Sequence, residues 1–318
     1  MESYKGENEL TNPGPGLNSS GPELKSIMNF YLVVFVLLIL FGSIFQAAHF
    51  EIGMILTQVM VILLPAIWLL KRYNVHVVVF ARLKPLQLKF LPTIILLIIS
   101  MWLLNMAIAA TLVSGLMELG FEPVVVLEPP RNIQEYLGYV IVLSVFAGIC
   151  EEVLFRGAIM PSMEKYGLVP AIVFSSLLFA LFHVSFLNLI STFVLGMVMA
   201  VIVIKTGSIW GGIVYHMLNN FIAATYLFFI GQQEIAPDVE AGSILELLPL
   251  FTLALIGSYI GLRLLNRQSN EKPLLQRGEG FLPRGWFSLA FVVAIIMFSV
   301  MAIFELAIGF GWFGLEGI

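Results

Sequence analysis

Glu151 and Glu152 stand side by side at the end of the apolar run Val140 to Cys150, and Arg156 follows four residues after the second acid. An ionised side chain at the centre of a bilayer costs about 2.5–3.5 kcal/mol on the mild insertion scale, so three unpaired ones would cost roughly 8–10 kcal/mol. Total folding stability is only about 5–15 kcal/mol. Such a cluster must be paired internally, and an ionisable group inside a membrane is by default a functional-site candidate. Spacing divides the acids. Glu152 and Arg156 share one helix face, with the acid on the amino-terminal side, the better order for an ion pair. Glu151 points about 100° away and is left to face a cavity.

Other ionisable or amide groups inside apolar stretches include Gln58, Asn105, His183, His216, Asn219, Asn220 and Glu305. His49 and His76 fall in connections and read as solvated. His216 and Asn220 are four apart, stack on one side and can both present N–H donors; Asn219, three from His216, competes with Asn220. A carboxylate and an imidazole at one depth can hold a water and take its proton, while a second imidazole and an amide donate to an oxyanion. Those are the parts of acyl hydrolysis. Glu151 is then the general base and later proton donor to the leaving amine, His183 positions the water, and His216 and Asn220 stabilise the tetrahedral intermediate. Glu plus two His is also a catalytic zinc donor set, which here would be Glu151, His183 and His216. No HExxH is present, so water held directly by Glu and His is preferred and no cofactor is required, with zinc as the alternative. Phe179 reads as packing around the site, Gly157 and the Gly211-Gly212 pair as close helix contacts, and Glu305 as a residue near the outer interface. Gln58 and Asn105 read as interhelical hydrogen bonds.

These residues need helices to carry them, and composition supplies a membrane protein: 59% of the 318 residues are hydrophobic and 11% charged, with mean hydropathy +0.98, far from the soluble pattern. Residues 1–25 are polar, rich in Gly, Pro, Asn and Ser, and read as a flexible tail without the features of a signal peptide. Residues 26–318 read as one transmembrane domain. Runs long enough for a hydrocarbon core of about 30 Å lie at 27–48, 52–70, 91–117, 136–165, 168–187, 188–204, 208–231, 243–266 and 286–309. The expected fold is therefore an all-α polytopic bundle of about nine helices, or eight if two merge, with the site in a buried cavity and the catalytic core at 136–231.

With the amino terminus in the cytoplasm, every Lys and Arg except Arg131 falls on the inner side, while Glu122, Glu128, Glu234, Asp238 and Glu240 fall outside. The expectation is a multi-pass protein of the cell membrane with its carboxyl terminus outside. With Gly167 as a turn, Glu151 and His183 each lie sixteen residues from it, about 24 Å along the helix axis. Adjacent antiparallel helices would hold them level. His216 and Asn220 join them only if their helix starts deeper or tilts. Cys150 is alone, which excludes an intrachain disulfide and a Cys-based zinc site. No basic cluster with interleaved aromatics points to nucleic acid.

The ordered segments Glu151-Glu152-Val-Leu-Phe-Arg156 (EExxxR), Phe179-Ala-Leu-Phe-His183 (FxxxH) and His216-Met-Leu-Asn-Asn220 (HxxxN) resemble the CPBP family of intramembrane proteases, also called Abi, related to the CAAX prenyl endopeptidases. The resemblance covers about residues 136–231. It implies an endopeptidase with a buried, water-accessible site, in which Glu151, His183 and His216 are essential and His216 and Asn220 form the oxyanion hole, with Glu152, Arg156 and Phe179 as supporting motif positions. It selects Asn220 over Asn219. Members are described both as metalloproteases and as metal-free, glutamate-dependent enzymes. The implied partner is a peptide or protein substrate, prenylated or otherwise membrane-associated, met in the bilayer. The competing readings are a structural polar network, a proton-coupled transporter, which would spread ionisable groups through the bundle, and a noncatalytic immunity or scaffold protein.

Overall fold

The computed structural model describes residues 21–123, 127–231, 244–271, 274 and 286–313. The expectations for residues 1–20, for Glu234, Asp238 and Glu240, and for Lys272, Arg277 and Arg284 lie outside the described residues. The chain runs through α1 (Leu24–Ala48), α2 (Phe50–Arg72), α3 (Leu88–Met117), α4 (Ile133–Tyr166), α5 (Leu168–Phe182), α6 (Leu189–Thr206), α7 (Ile209–Gly231), α8 (Ile244–Gln268) and α9 (Leu289–Gly309). Among the described residues, eight of these helices are long and apolar enough to cross a membrane. The expected all-α polytopic bundle is what forms.

Two expected boundaries move. The tail does not extend to residue 25: Gly21 and Pro22 are buried, and α1 already begins at Leu24. The fifth apolar run was expected to stay helical to residue 187, but α5 ends at Phe182 after 15 residues. At 1.5 Å per residue it is about 22 Å long, short of the hydrocarbon thickness of about 30 Å. Its last turn hands over to His183 and then to Val184, whose φ of 51° is the left-handed region. A β-branched residue is strained there, at a cost on the order of 1–3 kcal/mol. Hydropathy carries no trace of this break.

Local signals fix the other ends. Asn132 caps α4 by accepting from the Glu135 N–H at 3.0 Å, and its amide donates to the Glu135 carboxylate. Ser288 caps α9 in the same way. Gly167, at φ 116°, makes the turn between α4 and α5 that the depth count assumed, and Gly207, at φ 62°, ends α6. Wide π-type turns occur at Leu38–Gly42 in α1, Thr57–Leu63 in α2, and Val140–Phe146 and Val153–Ile159 in α4. Such turns are rare and gather at functional sites. Here they flank the two glutamates and include Gln58.

Contacts at the helix ends fix the alternation. At one end Arg82 makes a bidentate pair with Glu164 at 2.8 and 2.6 Å, the Ile209 N–H donates to the Arg82 carbonyl, and Ser269 donates to the Lys205 carbonyl. At the other end the Glu122 N–H donates to the Gly309 carbonyl, the rings of Phe50 and Tyr139 are 5.2 Å apart, and Gly231 abuts Pro129. Connections after α2, α4, α6 and α8 therefore meet at one end, which holds the basic residues, and those after α1, α3 and α7 at the other. His49 lies in the break between α1 and α2 beside Glu51, and His76 caps a single turn at Val77–Phe80; both stand apart from the buried polar cluster.

Cysteine labelling checks this arrangement. In a Cys150→Ala background, cysteines at Arg72 and Asn270 should react with an impermeant maleimide from one face of sealed vesicles, and cysteines at Arg131 and Trp312 from the other. Labelling of Arg72 and Asn270 positions from opposite faces would refute the alternation.

Candidate active site

Glu152 and Arg156 form the buried centre. Arg156 Nη1 donates to Glu152 Oε1 at 2.6 Å, and neither side chain has any solvent exposure. The guanidinium also donates through Nη2 to the Gly196 carbonyl of α6 at 2.9 Å and lies 4.4 Å from the centre of the Phe179 ring on α5. His216 of α7 brings Nδ1 within 3.3 Å of the same carboxylate oxygen. One ion pair thus joins α4, α5, α6 and α7. Two glycines make room for it. A Cβ on Gly212 would lie 2.5 Å from Glu152 Oε2, and one on Gly196 would press on Ser176 and Phe179.

Glu151 turns the other way, as its 100° offset requires. Its Oε1 accepts from Gln58 Nε2 of α2 at 2.9 Å. Its Oε2 is buried without a hydrogen-bond partner and faces His183 Nε2 at 3.8 Å. The equal counts from Gly167 therefore do bring Glu151 and His183 level. His183 is held by its other nitrogen, Nδ1, 2.8 Å from the Phe179 carbonyl. A carbonyl only accepts, so Nδ1 carries a proton, and the neutral form of the ring would then present a lone pair at Nε2. Two acceptors, Glu151 Oε2 and His183 Nε2, then face one another across a gap that a single water can bridge with both of its protons. The pair opens into a cavity of about 460 Å³ walled by α1 and α2, with Thr57, Gln58, Phe182, Val184 and Met301 at its edges.

The condition for His216 and Asn220 to join Glu151 and His183 is not met. His216 sits on Glu152 and is buried. Asn220 donates to the Leu143 carbonyl at 2.8 Å, eight residues before Glu151 and roughly 12 Å along α4. Neither lines the cavity that holds Glu151 and His183. The reason is the tight approach of α4 and α7: Ser144 donates to the Met217 carbonyl, a Cβ on Gly148 would strike Met217, and this contact turns His216 toward Glu152. The donor set for zinc does not assemble either. Among the described residues no group of three or more His, Cys, Asp or Glu side chains is placed to hold a metal ion.

Phe179 packs as expected, fully buried, with ring centres 4.6 Å from His183 and 5.7 Å from His216. Gly211 and Gly212 pack against α6, where a Cβ would meet Ile202, Thr206 and Val203. Gln58 and Glu305 enter the site although their spans gave no partner for them. Glu305, read only as near the outer interface, has partners: it accepts from Ser185 Oγ at 2.8 Å and from the Phe186 N–H at 2.5 Å. The signal was their polarity in apolar runs; the partners lie 93 and about 120 residues away, beyond any local pattern.

Residues 133–222 match the family model described as type II CAAX prenyl endopeptidase Rce1-like. No curated protein and no solved structure matches the chain. The matched segment contains Glu151, Glu152, Arg156, Phe179, His183, His216 and Asn220 and bears out the resemblance to the CPBP and CAAX protease family. Gln58 and Glu305 lie outside it.

Removing the cation should be costly. Arg156→Ala strands Glu152 and is expected to lower stability by about 3–5 kcal/mol, and Gly212→Ala, which drives a methyl group into the same carboxylate, should also destabilise, both measured as loss of thermal stability in detergent. Unchanged melting of Arg156→Ala would contradict the pairing.

Proposed function

We propose that this chain is an intramembrane endopeptidase of the CAAX-protease type that hydrolyses a peptide bond with water activated by Glu151 and His183. The observation that supports it is the pair itself: an unpartnered buried carboxylate oxygen and a tautomer-fixed imidazole nitrogen, 3.8 Å apart at a cavity wall. Water donating to both presents its oxygen lone pair to a substrate carbonyl. Glu151 takes one proton as the oxygen attacks, and returns it to the amine as the carbon–nitrogen bond breaks. Gln58 holds the second oxygen of Glu151 and so orients the first.

His216 and Asn220 are proposed as the oxyanion donors on the motif resemblance alone; neither lines the cavity of Glu151 and His183, so the role requires α7 to turn toward it when substrate binds. His216 gives its Nδ1–H to Glu152, so only an imidazolium has an N–H at Nε2 to offer an oxyanion; Glu152 already balances Arg156, so the oxyanion itself would balance that charge. Asn220 keeps a second amide hydrogen beyond the one given to Leu143. The orientation proposed is amino terminus in the cytoplasm, following the basic end of the bundle.

Purified protein offered prenylated CAAX peptides and a diverse peptide pool should cleave at least one of them. Glu151→Gln and His183→Ala are each expected to lose about 10²–10⁴-fold in kcat while retaining wild-type thermal stability. Cleavage that survives Glu151→Gln sinks the mechanism. Activity should persist after exhaustive chelation with no zinc in elemental analysis; loss on chelation that zinc restores would favour the metal alternative.

A further inference from the structure

We infer that Glu305, on the last helix and outside the family-matching segment, is a positioning residue for His183, acting through the short link that carries it. The inference rests on the reading of Glu151 and His183 as the reacting pair. His183 occupies the position just past the end of α5, where the helix no longer fixes its backbone on the carboxyl side. The next residue, Val184, is in the left-handed region at φ 51°, a conformation that relaxes unless its surroundings hold it. The following two residues are held by one carboxylate: Ser185 Oγ donates to Glu305 Oε1 at 2.8 Å, and the Phe186 N–H donates to Glu305 Oε2 at 2.5 Å.

The link is thus clamped on both sides of the strained residue. On the α5 side the Phe179 carbonyl takes the His183 Nδ1 proton; on the far side Glu305 holds Ser185 and Phe186. Ser185 passes the restraint on, since its hydroxyl accepts from the Asn188 backbone N–H at 3.3 Å and from the Asn188 amide at 3.2 Å. Asn188 is the cap position of α6. Met301, four residues before Glu305 and so on the same face of α9, lines the cavity into which His183 opens. Without the carboxylate, Val184 is expected to relax toward negative φ and swing His183 Nε2 away from Glu151 Oε2, while the cavity walls on α1 and α2 stay as they are.

A glutamine can satisfy the same two partners through its carbonyl oxygen, whose two lone pairs can accept from the Phe186 N–H and from the Ser185 hydroxyl, which already accepts twice from Asn188. An alanine satisfies neither. Three variants decide the matter in detergent-purified protein: Glu305→Ala, Glu305→Gln and Ser185→Ala. Glu305→Ala should raise amide hydrogen exchange across residues 183–188 and lower kcat about 10-fold or more with KM unchanged. Glu305→Gln should restore both, and Ser185→Ala should fall between.

Unchanged exchange in Glu305→Ala, or raised exchange with unchanged kcat per folded molecule, would overturn the inference. A fall in folded yield with normal kcat in what remains would mean a structural role alone and would equally overturn it. If the wild-type protein cleaves nothing, the proposed function fails by itself; the exchange comparison among the three variants then still decides whether Glu305 holds the link.

Discussion

The ion pair between Glu152 and Arg156 is the constraint around which the polar core is arranged. Neither charge has any solvent to fall back on, and an unpaired ion in such surroundings is among the most costly defects a fold can carry. Further groups of both side chains therefore recruit neighbours, although Glu152 Oε2 and Arg156 Nε stay without a hydrogen-bond partner. The guanidinium reaches the Gly196 carbonyl and the Phe179 ring, and the carboxylate reaches His216. Those neighbours sit on α5, α6 and α7, so satisfying one pair sets the mutual register of four helices. Small residues at 196 and 212 are what let the backbones come close enough.

With Glu152 committed, Glu151 is free to serve the cavity, and the division of labour between two adjacent acids follows from helical rotation alone. The cavity opens where α5 stops, with Phe182, His183 and Val184 in its lining. Irregular backbone at membrane depth is tolerated only where protein or a water-filled cavity satisfies it, and the link from His183 to Asn188 meets that condition through Glu305, Ser185 and the Phe179 carbonyl. The left-handed Val184 is the mark of a segment held by its surroundings rather than by its own preference. Helices outside the matched segment, α2 and α9, thus supply groups that bond Glu151 and the link after His183.

Much of this was legible in advance, for identifiable reasons. Apolar run length set the helices, because a bilayer demands it. Equal counts on either side of Gly167 placed Glu151 and His183 at one depth, because rise per residue is nearly constant. The i, i+4 spacing paired Glu152 with Arg156. What stayed open was convergence: His216 and Asn220 could join Glu151 only if their helix started deeper or tilted, and the Gly148–Met217 contact turns α7 so that His216 meets Glu152 and Asn220 meets Leu143. The end of α5 was equally hidden, since Val184 to Leu187 is as apolar as the helix before it.

By itself the sequence determined the class of protein, most of the helices, the common level of Glu151 and His183, and which acid would be neutralised. All of these depend on distances along one chain or across one hairpin. Tertiary structure alone decided that Gln58 holds Glu151, that Glu305 holds the link after His183, and that His216 belongs to Glu152. Those pairings join helices far apart in the chain, and they are fixed by how closely helices pack and rotate against one another, which no local spacing encodes.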